Sequence, residues 1–397
     1  MKPPRLFARR AGAVAGAGFG LILISFVFDA APLFVPAVAL ALIGLAAPAW
    51  VWISANGAQA QRNLPAERVI EEQPLAATIE VRRGRLGLPG AEVIDPFTGS
   101  RLDLGGPLSP FRGGREANVR VVTRFPRRGL HTLEPPSLLV RDPLELARVE
   151  SVSAAPAQQL LVLPRTERVR WLTSGRGRRF QILDGRSAAE AFAAVDVDGL
   201  RPYRPGTPAS RIHWPAVARG AGLIERRLQA DGDTRPLVVL DSRGDVPLEM
   251  LDAAVRAAAS LTLELARTGG CGLLLPGEQR ATTVDRELIT WPAAYARLAM
   301  VTGGLEARAP ALGASKGRLG PMVYVAAHPP ERLAALATES GPELVILVVP
   351  TGGLSGGRPR GVRGSMLATL DVSGCRGFLL GTRRQPERVK ATEASPA

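Results

Sequence analysis

The sequence is poor in cysteine and histidine, with two cysteines and three histidines among 397 residues. Cys271 and Cys375 each lie in an apolar run, without a second cysteine or a histidine at ligand spacing. We therefore predict reduced core residues instead of a disulfide or a zinc site. None of the histidines has a nucleophile or an acid at the spacing of a catalytic motif: His131, His213 and His328. These residue types give no visible catalytic site.

Nucleotide-binding patterns are also missing. Neither GxGxxG nor a P-loop occurs, and the glycine-rich segment 351–357 has no lysine, which favours a turn over a phosphate cradle. The formal net charge of +14 is carried almost wholly by arginine, because lysine occurs at only three positions. Such an excess favours an acidic partner, namely anionic lipid, nucleic acid or a negatively charged protein. Aromatic residues make up only 5% and the arginines are spread, which argues against nucleic acid.

Two long uncharged runs stand near the N-terminus, at 11–28 and 33–53. A membrane span needs about 20 apolar residues, so both runs qualify. A cleaved signal peptide is the alternative for the first run. The immediate second run favours a transmembrane hairpin over residues 1–63.

The charges that flank these runs predict their orientation. Basic residues stand at the two outer ends (Arg5, Arg9 and Arg10, then Arg62), whereas the turn holds only Asp29. The positive-inside rule then places both ends, and the large remainder, in the cytoplasm. We therefore predict a cell-membrane protein with two spans and a cytoplasmic soluble part.

Small residues in the first run predict how the two helices pack. Gly12, Gly16 and Gly20 recur at every fourth position and form a small face for close contact with the second helix. Trp50 and Trp52 stand where an interfacial aromatic belt is expected.

The chain after residue 63 divides into segments with different residue patterns. Short alternating runs with Gly/Pro-rich turns predict a β-rich, sandwich-like domain over 64–163. A polar, arginine-rich connector follows over 164–235. Strand–helix alternation over 236–382, including a helix at 247–268, predicts a doubly wound α/β sheet. A charged tail at 383–397 ends the chain, so the predicted class is α/β with an N-terminal membrane hairpin.

Ligands of open α/β sheets bind at the carboxyl ends of the strands, which directs attention to Asp241, Ser242 and Asp245. An acid and a hydroxyl there suit a hard divalent cation such as Mg²⁺, provided that other loops add oxygens. The fourth strand ends in Pro350 and Thr351 without a carboxylate, and Arg243 places a positive charge beside the site. We therefore predict no bound metal and no other cofactor.

Two motifs resemble those of the domain of unknown function 58 family. The first matches the family signature before the α/β domain, at Arg201, Tyr203, Gly206, Arg211, Trp214 and Arg219. The second, over 126–146, resembles an upstream element through Arg128, Gly129, Asp142, Pro143 and Leu146. Two N-terminal spans are also usual in that family, so the resemblance covers most of the chain.

The resemblance implies a membrane-tethered protein with a von Willebrand factor A-like domain. Such proteins are associated with MoxR-type AAA+ ATPases in the maturation of other proteins or the assembly of metal centres, and are not themselves enzymes. The family domain often carries a metal-ion-dependent adhesion motif, D-x-S-x-S. Here both serine slots are replaced, by Arg243 and Asp245, and Thr207 stands where the signature usually has aspartate.

Three functions remain open at this stage. The first is a non-enzymatic, membrane-anchored interaction protein that contacts an AAA+ ATPase or a client. The second is a hydrolase-type enzyme at the strand tips, and the third is a membrane-associated nucleic-acid binder. We expect the signature segment to act as a structural clasp, in which Tyr203 and Trp214 pack and Arg211 and Arg219 pair with acids or carbonyls.

Overall fold

The computed structural model describes most of the chain, in twelve segments: residues 5–84, 90–104, 116–153, 155–172, 200–202, 214–220, 222–226, 235–312, 320–328, 345–355, 358–359 and 367–380. Contacts group the chain into two compact units, residues 1–162 and 163–397.

Two apolar helices form an antiparallel hairpin near the start of the first unit. Helix α1 spans Arg9–Val27 and helix α2 spans Ala31–Ala55. At 1.5 Å per residue they are about 28 and 37 Å long, so both are long and apolar enough to cross a membrane. The two predicted helices are confirmed, with ends within two residues of the predicted ones.

The small face predicted for the hairpin is wrong. A Cβ on any of Gly12, Gly16 or Gly20 would have no atom within 4 Å. The helices instead meet through Gly18, whose added Cβ would lie 2.5 Å from the Ala41 nitrogen. The buried positions of α1 follow a separate stripe and are Ala11, Ala15, Gly18 and Ser25. Their spacing of four, three and seven residues is that of a 3.5-residue repeat, as in coiled coils.

Eleven short strands form the remainder of the first unit, as the alternating runs predict. They are β1 Arg5–Phe7, β2 Gln59–Asn63, β3 Arg68–Ile70, β4 Pro74–Arg82, β5 Ala91–Asp95, β6 Ser100–Asp103, β7 Glu116–Arg124, β8 Gly129–Leu133, β9 Ser137–Arg141, β10 Arg148–Val152 and β11 Gln158–Leu163. They pair into sheets with the orders β1-β10-β9-β5-β6, β3-β11-β8 and β2-β4-β7. The pairings β1–β10, β10–β9, β9–β5, β5–β6, β11–β8, β2–β4 and β4–β7 are all antiparallel.

The hairpin is attached to these sheets at both of its outer ends. Strand β1, directly before α1, pairs antiparallel with β10, and β2 begins four residues after the end of α2. Ala11, Val51 and Ala55 belong to the same buried cluster as the sheet residues. The base of the hairpin and the β-rich unit therefore share one core, on the side where both outer helix ends lie.

Arg62, counted above as an exposed flanking charge, lies in this core. Its guanidinium is ion-paired with Asp95, and the two side chains are 1% and 0% exposed. The alternation of β2 points Ala60 and Arg62 inward together. Arg5, Arg9 and Arg10 are exposed.

The second unit contains three helices and twelve strands in the part that the structure describes. The helices are α3 Trp214–Ala218, α4 Leu248–Gly269 and α5 Trp291–Ala299. The strands are β12 Arg170–Trp171, β13 Leu200–Pro202, β14 Ile224–Arg226, β15 Leu237–Asp241, β16 Cys271–Leu274, β17 Thr282–Val284, β18 Met322–Ala326, β19 Val345–Pro350, β20 Leu354–Ser355, β21 Arg358–Pro359, β22 Leu367–Val372 and β23 Cys375–Leu380.

Eight of these strands form one mixed sheet with the order β12-β22-β23-β19-β18-β15-β16-β17. The four central strands are parallel: β15 pairs with both β16 and β18, and β18 pairs with β19. Each is buried along its whole length and almost wholly apolar, as strands covered on both faces are. One face packs on α4 and α5, and the opposite face forms a second buried cluster. Mixed α/β content is therefore confirmed.

Several predicted elements differ in detail from the structure. The predicted connector starts inside the second unit, because β12 pairs with β22 and Val169 joins the core. Pro292 lies in the first turn of α5, where its missing N–H costs no hydrogen bond. Both cysteines are buried, and burial raises the pKa of the Cys375 thiol to about 12. The tail predicted at 383–397 lies outside the described residues.

Candidate functional site

The carboxyl edge of the central strands holds a buried carboxylate with a complete set of partners. Arg243 donates to Asp241 through Nε, 3.0 Å from Oδ1, and through Nη2, 2.8 Å from Oδ2. The Arg243 backbone N–H also donates to Oδ1, at 3.1 Å. From the neighbouring strand, the Tyr324 hydroxyl donates to Oδ2 at 2.5 Å. A bidentate guanidinium, one backbone N–H and one phenol thus occupy both oxygens.

The local sequence explains this geometry. In the parallel register Val239 lies opposite Tyr324 and Asp241 opposite Ala326, so Asp241 and Tyr324 lie on the same face of the sheet. Arg243 follows Asp241 by two residues, and its guanidinium reaches back to that carboxylate. Gly244, the next residue, adopts a φ of +109°, a conformation that glycine adopts without strain.

Electrostatics reinforce the cluster. The hydrogen bond that Arg243 donates to Asp241 raises the pKa of the guanidinium above its usual value. Burial, followed by the negative charge of Asp241, raises the pKa of the Tyr324 hydroxyl. Around neutral pH the site therefore holds a fixed cation and a neutral phenol on one buried carboxylate.

The raised pKa of Tyr324 predicts a loss of stability at alkaline pH. An unfolded tyrosine ionises near pH 10, whereas the folded Tyr324 holds its proton to higher pH. The contribution is thus fully present below about pH 10 and is lost as the pH rises beyond it. We expect Tyr324→Phe to cost about 1 kcal/mol at pH 7, from one lost hydrogen bond, and to flatten the alkaline fall. Denaturant unfolding at pH 7 to 11 measures both, and an unchanged alkaline fall in the variant would contradict the assignment.

Other tips of the sheet are also satisfied by local partners. The Glu278 carboxylate after β16 is paired with Arg297, at 2.9 Å, and accepts from the Leu275 N–H. The Thr351 hydroxyl after β19 donates to the Gly374 carbonyl at 2.9 Å. His328, after β18, is exposed. The strand tips therefore offer two arginine-neutralised carboxylates.

The metal site suggested by the adhesion motif does not fit the residues present. The Asp241 oxygens are occupied by Arg243, which fills the first serine slot, and Asp245, in the second, is exposed. Ser242 is fully buried, and its hydroxyl has no hydrogen-bond partner within the described segments. A hard divalent cation takes about six to eight oxygen ligands, and one serine hydroxyl cannot supply them. No group of three or more potential metal-binding side chains occurs among the described residues.

The family-signature residues are only partly described by the structure. Arg201 lies in β13, which pairs with β14, and Arg219 lies exposed just after α3. Tyr203, Gly206 and Arg211 lie outside the described residues. Trp214 starts α3 and is 58% exposed, so its expected packing as part of a clasp is not seen. A large exposed indole suits a contact surface better than a core position.

Sequence reasoning identified Asp241, Ser242, Asp245 and the nearby charge of Arg243, but it missed Tyr324. A signal was present, since Tyr324 is the only polar side chain in an otherwise apolar, buried strand. A buried phenol needs a hydrogen-bond partner, and the parallel register places Asp241 nearby.

Comparison with known proteins gives little further guidance. No family model matches the chain, and no curated protein matches it. Among solved structures, Cwp6 from Clostridium difficile aligns at 9% identity with a TM-score of 0.18. The alignment covers 56% of this chain and 30% of Cwp6, so the chain spans less than a third of that structure.

Proposed function

We propose that this protein is a membrane-anchored, non-enzymatic interaction protein with a cytoplasmic soluble part. Its second unit would be a doubly wound, von Willebrand A-like domain that contacts a MoxR-type AAA+ ATPase during protein maturation or complex assembly. One observation carries the proposal: Arg243 is ion-paired with the Asp241 carboxylate. The guanidinium thus holds the position that a metal ion would take in an adhesion motif. The strand order, with β15 between two parallel neighbours, supports the doubly wound arrangement.

Membrane anchoring is supported by the surface of the hairpin. Large apolar side chains along both helices are exposed, among them Phe19, Leu23, Phe26, Leu42 and Leu45. A core helix of a soluble protein would cover such side chains, whereas a membrane span presents them to lipid. The exposed Arg5, Arg9 and Arg10 at the outer end favour a cytoplasmic location for that end.

The absence of an enzyme role is supported by the charge state of the strand tips. A general base needs a carboxylate that can approach a substrate proton, and Asp241 and Glu278 are both held by arginines, which leaves Asp245 as the exposed carboxylate beside them. What this edge presents instead is the Arg243 guanidinium, half exposed and fixed in direction. A fixed cation suits recognition of an acidic surface on a partner protein. No observation on the described residues favours the hydrolase or the nucleic-acid alternative.

Co-purification tests the partner and the independence from metal together. The tagged full chain, extracted from membranes in mild detergent, is expected to retain an AAA+ ATPase, with the same yield in EDTA as in Mg²⁺. Arg243→Ala should lower the yield several-fold, because it removes the exposed cation. Arg267→Ala is the matched control: Arg267 is exposed in the last turn of α4, away from the strand tips, and its loss should have no effect.

Two results would overturn parts of the proposal. If EDTA abolishes retention of the ATPase, the contact depends on a metal ion. The proposal that the Arg243 guanidinium takes the place of that ion is then wrong. If no AAA+ ATPase is retained by the wild-type chain, the proposed partner is wrong.

A further inference from the structure

We propose that a basic pocket at the base of the hairpin binds the phosphate-bearing headgroup of an anionic phospholipid. The pocket has a volume of about 620 Å³ and is lined by Arg9, Arg10, Arg141 and Arg148, together with Phe7 and Glu145. The proposal rests on the membrane anchoring proposed above and adds a ligand site to it, apart from the strand tips of the second unit.

The sheet places two of these arginines side by side. Arg148 is the direct antiparallel partner of Arg141 on one side and of Phe7 on the other. Like charges directly opposite each other across two strands are destabilising, so this pairing has a cost in the absence of an anion. Arg141 contacts Glu92 at 3.2 Å, and Arg148 lies over the Phe7 ring at 5.0 Å. Neither contact places an acid between the two guanidinium groups.

The helix beginning at the pocket adds further positive charge. Arg9 and Arg10 are the first two residues of α1, and both are exposed. The helix has neither an acidic residue in its first turn nor a side-chain cap on its first N–H groups. The positive end of the helix dipole therefore adds to four guanidinium groups, which are opposed by Glu145 in the lining and by Glu92, the partner of Arg141.

The depth of the pocket matches the headgroup layer. Gly44 of α2 packs against Ala11 and Ala15 of α1, and α2 runs eleven residues further to Ala55, so its last turns lie level with and beyond the start of α1. That end carries Trp50 and Trp52, both about half exposed. Exposed tryptophans at a helix end are typical of the membrane–water interface. The pocket therefore lies where the phosphates of the surrounding leaflet are.

The chemistry of the lining favours a lipid phosphate over another anion. Arginine binds phosphate oxygens in bidentate fashion, and all four cations here are arginines. Phe7 is 45% exposed beside them and gives the pocket an apolar wall suited to the glycerol and first acyl carbons. A free inorganic phosphate would use the arginines but not this wall.

The test measures lipid retained by the full-length chain in detergent, by native mass spectrometry with added phosphatidylglycerol or phosphatidylcholine. We expect phosphatidylglycerol to bind at least tenfold more tightly than phosphatidylcholine. The Arg10→Gln/Arg148→Gln variant should lose about thirtyfold in that affinity, because each arginine near an anionic surface contributes about 1 kcal/mol. The control, Arg120→Gln/Arg124→Gln, removes two exposed arginines from β7, outside the pocket, and should bind as the wild type does.

Three results would overturn the proposal: equal binding of the two lipids, equal losses in both double variants, or displacement of phosphatidylglycerol by millimolar inorganic phosphate. The last result would assign the pocket to a soluble anion. If the membrane anchoring itself is wrong, a different result is expected: the chain is recovered in the soluble fraction without detergent.

Discussion

Arg62→Met is expected to lower the free energy of unfolding of the first unit by about 3–5 kcal/mol, the typical cost of removing one partner of a buried ion pair. The Asp95 carboxylate is fully buried and would retain the Phe97 N–H as a donor at 3.1 Å. Such a carboxylate is too costly to leave charged without its cation.

The remaining contacts of Arg62 explain why the effect should reach the whole unit. Its Nε donates to Gln158 on β11 at 2.9 Å, and Nη2 donates to the Leu133 carbonyl at the end of β8, at 3.0 Å. Since Arg62 itself lies on β2 and Asp95 on β5, one guanidinium joins all three sheets. Its loss removes hydrogen bonds between sheets that the strand ladders do not replace.

Urea unfolding of the full chain in detergent, read by pulse proteolysis with fragments assigned by mass, measures the effect on each unit. The control is Arg82→Met on the neighbouring strand β4, whose ion pair with Glu116 leaves the two side chains 66% and 65% exposed. An exposed pair contributes about 0–1 kcal/mol, so this variant should remain near the wild type. Arg62→Met/Asp95→Leu should recover much of the loss, because both charges are then gone. Equal costs for Arg62→Met and Arg82→Met would contradict the role given to the buried pair.

Arg62 also shows where sequence reasoning reaches its limit. A basic residue soon after an apolar run is the usual flank of a membrane span, and nothing local distinguishes Arg62 from one. Its burial depends on Asp95, which is 33 residues away, and on register among three sheets. Periodicity reports which face of an element is apolar, but it does not report which distant charge meets that face.

Elements with strong local signals were predicted well. The helix predicted at 247–268 is α4, Leu248–Gly269, because its apolar residues recur at the helical period over six turns. The strand–helix alternation predicted over 236–382 includes β15, β18 and β19, because short apolar runs are typical of strands covered on both faces. At the candidate site the sequence gives Asp241 and Arg243, whereas Tyr324 depends on the alignment of β15 with β18.

Gly18→Ala is expected to destabilise the hairpin by about 1–3 kcal/mol, the usual cost of overpacking. The new Cβ would lie 2.5 Å from the Ala41 nitrogen and 2.9 Å from the Ala37 carbonyl oxygen, both of them backbone atoms that no rotamer change can move. Gly44→Ala makes the reciprocal clash, at 2.5 Å from the Ala15 nitrogen, and should cost a similar amount. The helices must move apart in either variant, with loss of packing along the whole seam.

Gly16→Ala is the matched control, because α1 offers the same substitution on another face. A Cβ on Gly16 meets no atom within 4 Å, so no clash opposes it. Alanine is favoured over glycine in a helix by about 0.5–1 kcal/mol, and Gly16→Ala should therefore leave the hairpin as stable as the wild type or more so. Unfolding of the full chain in micelles of rising SDS content, followed by proteolysis within the hairpin, measures the three variants side by side. The opposite signs expected at Gly16 and Gly18 distinguish the two small faces: destabilisation at Gly16 with none at Gly18 would return the helix contact to the Gly12/Gly16/Gly20 stripe.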